Sequence, residues 1–403
     1  MEAQQNPRPL DGIRVLETGQ LLAGPFAGSI LAYYGAEVIK VEPPGTGDPL
    51  RQWRLLGDDG TSYWWRSLGR NKKCVTADLR SEAGRDLVRR LSGQCHVLVE
   101  NFRPGVMERW GLGPADLWAE NPGLIYARIS GYGQDGPWAS KPGFASVCEG
   151  VGGLRYVNGR PGEPPMRPNL SLGDSLAGLH TAFGIVMACL YQARNPGSRG
   201  QVIDTALYEA TFNMLEAVVP EYDGAGIVRE PSGSTITGLV PTNTYRCADG
   251  KFIIIGANGD SIFRRLCEAM GRPDMASEPE YADNAGRVRH EAVIDAAITG
   301  WTESLGSSEA LAALDEARVP SGPIFSVADM MQNPHFIARG LFEQVEVNGK
   351  PLKIPALVPK LGDTPGRTDW PGPELGAFNA EVYGGLLGLS KEELAELSRR
   401  GVV

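Results

Sequence analysis

In the stretch Leu172-Gly-Asp-Ser-Leu-Ala-Gly178 a single carboxylate, Asp174, stands between a glycine and a serine at the head of a long apolar run. No second acid, histidine or metal-ligand pattern adjoins it. Asp is a favoured helix N-cap, and a helix N-terminus also keeps a carboxylate ionised. An ionised, partly buried carboxylate is in turn a nucleophile toward an activated acyl group. These residues alone leave the cap and the nucleophile both open.

Three other clusters carry chemistry. Gly69-Arg-Asn-Lys-Lys73 sets Arg70, Lys72 and Lys73 within four residues at the edge of a strand, which is either a phosphate clamp or a solvated turn. Glu100-Asn-Phe-Arg-Pro-Gly-Val-Met-Glu-Arg-Trp-Gly111 places Asn101, Arg103 and Arg109 just beyond an apolar strand, where open α/β sheets meet their ligands. The turn from Glu17 to Gly28 is strand-turn-helix, but its glycines at 19, 24 and 28 do not form G-x-G-x-x-G. A helix start there could still bind a phosphate through its N–H groups. The histidines His96, His180, His290 and His335 are scattered, with no H-x-x-x-H, so no metal site is expected.

The elements that must position these residues follow from periodicity. Strands are expected at 12–18, 36–42, 74–79, 96–102 and 124–133, alternating with helices at 22–35 and 81–93. Gln201 onward reads as a strand turning into a helix. That alternation argues a parallel sheet covered by helices. From Asp174 to Arg194, Leu176, Leu179, Phe183, Val186 and Leu190 recur at helical spacing. The texture changes around 220–240, and Thr244–Asn258 reads as a hairpin opening a compact unit that runs to about 325.

Composition bounds the rest. The chain has 403 residues, enough for two domains, and 42% are apolar. A net charge of −9 argues against a nucleic-acid partner, which would call for a basic face. Six cysteines without a C-x-x-C spacing suit a reducing compartment. No hydrophobic signal core opens the chain and no apolar run is expected to span a membrane. A cytoplasmic protein without a membrane partner is the expectation.

The chain also resembles the class III CoA-transferases, the group containing formyl-CoA:oxalate and succinyl-CoA:glutarate transferases. The resemblance runs through LAGPFAGSILAYYGAEVIKVEPPGTGDPLRQW, RNKKCVTADL, VENFRPGVMERWGL, ISGYGQDGPW, LGDSLAGLHTAFGIVMACLYQARNPGSRGQVIDTALYEA and ARVPSGPIFSVADMMQNPHFIARG, in that order. It implies a large Rossmann-like parallel-sheet domain and a smaller α/β domain, in an interlaced ring-like homodimer. The expected division is 1–220 for the large domain with Asp174, 221–325 for the small domain, and 326–403 for a segment returning to the large domain.

By the same resemblance Asp174 is the nucleophile of a CoA-transferase that moves CoA from an acyl-CoA to a free carboxylate through aspartyl anhydride and aspartyl-thioester intermediates. CoA and acyl-CoA are substrates; no permanent cofactor is implied. The CoA contacts would be Gln20, Leu21, Leu22, Ala23, Asn71, Lys72, Lys73, Asn101, Phe102 and Arg109. Departures bear on the substrate. Leu22 stands where the oxalate enzymes have glutamine, Ala145 stands where many relatives have an acid with Glu149 four residues on, and Gly238 is the counterpart offered for their glycine loop. Succinyl-CoA and a dicarboxylate acceptor therefore fit better than oxalate or formate. Arg51, Arg54 and Arg66, around the aromatic segment that includes Trp53, are the cations offered for a remote carboxylate. Two rival readings stand beside this: a 2-methylacyl-CoA racemase, whose histidine would fall at Phe144, and an acyl-CoA binding protein without catalysis.

Overall fold

The computed structural model of the protein describes residues 6–403. Six short apolar segments form one parallel sheet: β1 (Arg14–Glu17), β2 (Glu37–Glu42), β3 (Lys72–Thr76), β4 (Val97–Glu100), β5 (Ile125–Ser130) and β6 (Val202–Ala206). The order is β3-β2-β1-β4-β5-β6, and every neighbouring pair is parallel. β1, β4 and β5 are buried almost throughout, as expected of strands covered on both faces. The order reverses between β1 and β4, so their carboxyl ends open a crevice at the switch point.

Up to residue 212 the α-helices of this unit are α1 (Ala23–Tyr33), α2 (Tyr63–Leu68), α3 (Glu82–Ser92), α4 (Val106–Arg109), α5 (Pro114–Trp118), α6 (Ala145–Val151), α7 (Leu172–Arg194) and α8 (Leu207–Phe212). Ser81 caps α3 through the Gly84 amide, as its sequence suggests. One face of the sheet buries Ala27, Leu31, Val99, Ile125, Ala127, Ala182 and Ile185 in a core shared with α1 and α7. Gly178 lets those two helices meet: a Cβ there would lie 2.7 Å from the Ala23 carbonyl and 3.1 Å from Phe26.

The sequence expectation that no apolar run reaches membrane-spanning length needs correction at α7. Its 23 residues are long and apolar enough to cross a membrane by length and composition alone. The burial of Ala177, Thr181, Ala182, Ile185 and Ala188 along one side makes it a core helix of this unit.

The chain divides into two compact units. Among the described residues the first comprises 6–154, 168–216 and 337–403; the second comprises 155–167 and 217–336. The second unit so contains 155–167, 217–220 and 326–336, which the sequence division assigned to the large domain and its returning segment. It carries an antiparallel sheet of β7 (Thr242–Arg246), β8 (Phe252–Gly256) and β9 (Ser321–Pro323) packed with helices around Phe263, Leu266, Ile294 and Leu314. The carboxyl-terminal segment contributes the hairpin β10 (Phe342–Val347) and β11 (Lys350–Pro355) to the first unit.

Candidate active site

Asp174 is not the cap of α7. The helix starts at Leu172 with Ser171 at the N-cap, and the Ser171 side chain makes no capping bond. Asp174 falls in the first turn, where the dipole favours an ionised carboxylate. The capping acceptor comes from α6: Glu149, fully buried, accepts the Gly173 N–H at 3.1 Å through Oε1. A Cβ on Gly173 would touch both Glu149 and Ala145, which lie one turn apart on α6. Glu149 therefore acts on the backbone of α7.

Asp174 lines a cavity of about 210 Å³ with Gln20, Leu21, Leu22 and Ala23 from the β1–α1 turn, Asn101, Phe102 and Arg103 after β4, and Gly131 after β5, faced by Gly143 and Phe144. The cavity thus sits at the carboxyl ends of the strands flanking the switch point. Asn101 ties the two loops together. Its Oδ1 accepts the Gln20 N–H and its Nδ2 donates to the Gln20 carbonyl, both at 2.8 Å. Gly131 and Gly143 pack backbone to backbone, since a Cβ on either would lie 3.0 Å from the other's Cα.

A second cavity of about 330 Å³ lies over the ends of β1, β2 and β3, between Thr18, Glu42, Pro43, Ala77, Asp78 and Arg80. Gln20 and Phe102 line both cavities. A third, of about 410 Å³, is mostly apolar and lies beside Phe26, Trp64, Leu352 and Ile354. It shares Leu22 with the Asp174 cavity and reaches Ser175, the next residue on α7.

The structure removes the basic run from the site. Lys72 is fully buried beneath α1, paired with Glu17 at 2.8 Å and donating to the Pro25 carbonyl at 2.6 Å. Desolvation lowers its pKa, against the pull of Glu17. Lys73 pairs with Glu37 and Glu381, each at 2.7 Å. Desolvation works against its charge, but these two carboxylates raise its pKa on balance. Asn71 pins the carboxyl-terminal segment instead of a ligand: its Oδ1 accepts the Asp369 and Trp370 N–H groups, and its Nδ2 donates to Ala32 and Arg367 carbonyls. The reason is positional. These residues begin β3, at the end of the strand remote from the crevice, and pack against α1 and the returning chain.

The arginines offered for a remote carboxylate are mostly engaged too. Arg51 pairs with Glu42 at 2.7 Å, donates to the Pro373 carbonyl and lies 3.9 Å over the Trp65 ring. Burial opposes its charge, and the hydrogen bonds it donates to the Glu42 carboxylate more than restore it. Arg66 pairs with Asp59 and Glu374. Arg54 stacks over Trp64 at 4.1 Å. Trp53 is exposed, and its carbonyl accepts the Ser62 hydroxyl. Gly238 belongs to the second unit, at a φ of +84° with open space around it. Arg109 ends α4, exposed, with no ion pair among the described residues; it lines neither the Asp174 cavity nor its neighbour.

Residues missed in the sequence include Ser130, Gly131, Gly143 and Leu207. Ser130 ends β5 and Gly131 follows it directly, so the strand-end rule applied to β1 and β4 could have found them. The histidines stay out of the cavity: His180 Nδ1 contacts the Leu176 carbonyl and Nε2 the Asn213 amide. The Cys148 thiol, behind Gly131, is pushed up to about 11 by burial and is no thiolate nucleophile at neutral pH. Among the described residues no cluster of three or more His, Cys, Asp or Glu side chains is placed to hold a metal.

The chain as a whole has relatives among known proteins. The family model "CoA-transferase family III" matches residues 10–379. Succinyl-CoA--D-citramalate CoA-transferase of Chloroflexus aurantiacus is 45% identical over 404 residues, covering all of both chains. Succinate--glutarate CoA-transferase of Agrobacterium fabrum is 33% identical, with 93% of this chain and 94% of that one covered. The crystal structure of a CAIB/BAIF family protein from Brucella suis superposes with a TM-score of 0.82 at 32% identity, covering 94% of this chain and 100% of that one. The chain belongs to CoA-transferase family III and is a class III CoA-transferase.

Proposed function

We propose that the enzyme moves CoA from succinyl-CoA to a second dicarboxylic acid, with Asp174 as the covalent carrier. The observation that carries this reading is the placing of Asp174 in one cavity with the loops that follow β1, β4 and β5. Relatives whose names pair succinyl-CoA with D-citramalate, L-malate or mesaconate support the substrate class.

The chemistry conserves the thioester. An Asp174 oxygen attacks the acyl-CoA carbonyl, the C–S bond breaks, and CoA leaves as thiolate from a mixed anhydride. The thiolate then attacks the aspartyl carbonyl, the anhydride C–O bond breaks, and succinate departs. The acceptor carboxylate attacks the aspartyl thioester, forming a second anhydride and freeing the thiolate. The thiolate takes the acceptor acyl group and returns Asp174 as a carboxylate. No proton or ATP is consumed, because each bond broken is replaced by one of similar energy. Each addition develops an oxyanion that backbone N–H groups can stabilise. Both intermediates hydrolyse, so the site must exclude water.

In this reading CoA lies across the cavity over β1–β3 and extends its thiol past Gln20 and Phe102 to Asp174. Arg109 is held in reserve as an outer phosphate contact. The acyl chain enters the apolar cavity on the other side of Leu22. No permanently bound cofactor is needed. The family resemblance also carries a homodimer into this proposal. Its support is the outer face of α7, where Leu179, Phe183, Val186, Met187, Leu190 and Tyr191 are all exposed.

The test is an exchange assay with succinyl-CoA and a panel of four- and five-carbon dicarboxylates against monocarboxylates of equal length. Transfer to at least one dicarboxylate, lost in Asp174→Ala, is expected. Transfer only to monocarboxylates, or full activity in Asp174→Ala, would contradict the proposal.

A further inference from the structure

The turn that faces Asp174 contains a residue in an unusual conformation. Leu21 has a φ of +65°, in the left-handed region that non-glycine residues seldom enter. Such a conformation persists only where its surroundings enforce it. Here the enforcing group comes from a different part of the chain. Both carboxylate oxygens of Asp48 accept the Leu21 N–H, each at 3.1 Å. Asp48 is fully buried, receives Lys40 Nζ at 2.9 Å, and caps the short turn 49–52 through the Leu50 N–H at 2.9 Å. Lys40 also holds the Gly19 carbonyl at 2.8 Å. Asn101 fixes both backbone groups of Gln20 from the other side.

Each residue from Gly19 to Leu21 is therefore gripped by a side chain. Of those three grips, only the one on Leu21 works against an intrinsic backbone preference. Immediately beyond it α1 begins at Ala23, with Leu22 as an N-cap that offers no side-chain cap. The first N–H groups of such a helix have no intrahelical acceptor. Leu22 and Ala23 line the cavity with Asp174.

We propose that Asp48 is a positioning residue for the transfer reaction: by holding Leu21 left-handed it aims the start of α1 at the acyl group on Asp174. Nothing in Asp48 touches the substrate. It acts through the backbone of residues 21–23, and Lys40 keeps it aligned. All three groups around the carboxylate are donors, so an amide in its place would turn an NH₂ toward a donor and lose the two-oxygen grip.

The inference rests on the reading of Asp174 as the covalent carrier, and the experiment separates the two. Single-turnover formation of the Asp174 adduct from saturating succinyl-CoA is followed by intact mass in wild type, Asp48→Asn, Leu21→Gly and the double variant. Asp48→Asn is expected to slow adduct formation by roughly 100-fold, as small misplacements near a reacting centre do. Glycine enters the left-handed region freely, so Leu21→Gly in the Asp48→Asn background is expected to recover most of that rate. An Asp48→Asn enzyme that keeps its rate, or a folded double variant that recovers none, would overturn the inference and leave the function standing. If Asp48→Asn does not fold, Leu21→Val decides with the carboxylate network intact. A β-branched residue resists the left-handed conformation, so slow adduct formation is expected and a wild-type rate would overturn the assignment. A wild-type enzyme that forms no adduct with any CoA thioester would overturn the function and this inference with it.

Discussion

Asp174 occupies the first turn of a helix whose leading amide is capped from outside by Glu149. Residues near it sort by whether burial has already used their charge. Lys72 and Glu17 are both fully buried, and Lys40 joins them at 3.0 Å from Glu17. Breaking such a pair leaves an uncompensated buried charge and costs about 3–5 kcal/mol. Lys72→Met is therefore expected to lower unfolding stability by about 3 kcal/mol in urea titration, with CoA affinity of the folded fraction unchanged. A stable Lys72→Met protein that binds CoA poorly would restore Lys72 to the site.

At the scale of elements, the site is made by the start of α1 and the start of α7 lying side by side. Gly178 permits that approach, and the nearest atom to an added Cβ is the Ala23 backbone carbonyl, which cannot swing aside. Gly178→Ala should push the helices apart, cost roughly 1–3 kcal/mol, and lower kcat by moving Ala23 relative to Asp174. Thermal unfolding and steady-state kinetics check it; an unchanged midpoint and kcat would contradict the packing. The sequence discloses these elements well where the pattern is local. The apolar runs at 14–17 and 97–100 and the Ser81 cap are examples. It misleads where a side chain's partner is distant in sequence. The run Asn71-Lys72-Lys73 has the composition of a phosphate clamp, yet Glu17, Glu37, Glu381 and the turn at 367–370 consume it. Asp48 gives no local sign of serving Leu21, which lies 27 positions earlier. The role proposed for Asp174 comes from the resemblance of its flanking motif; the cap that Glu149 gives Gly173 is not legible, because α6 meets α7 only in the folded chain.

At the scale of the molecule, the proposed site lies at the switch point of the parallel sheet. The strip of exposed apolar side chains on α7 is the feature the single chain leaves unexplained, and the proposed homodimer would cover it. Sedimentation should give twice the 43.3 kDa chain mass. Phe183→Lys with Leu190→Lys should shift the protein toward monomer. A wild-type monomer, or a double variant that remains dimeric, would place any interface elsewhere.

The central claim is that Asp174 carries the acyl group and then CoA. The most direct measurement is the intact mass of the enzyme after incubation with succinyl-CoA, with hydroxylamine-treated and Asp174→Ala samples alongside. The expected result is a hydroxylamine-sensitive adduct of succinyl or CoA mass, mapped to Asp174 and missing from the variant. An adduct that persists in Asp174→Ala, or rapid exchange with no adduct at any time of quenching, would contradict it.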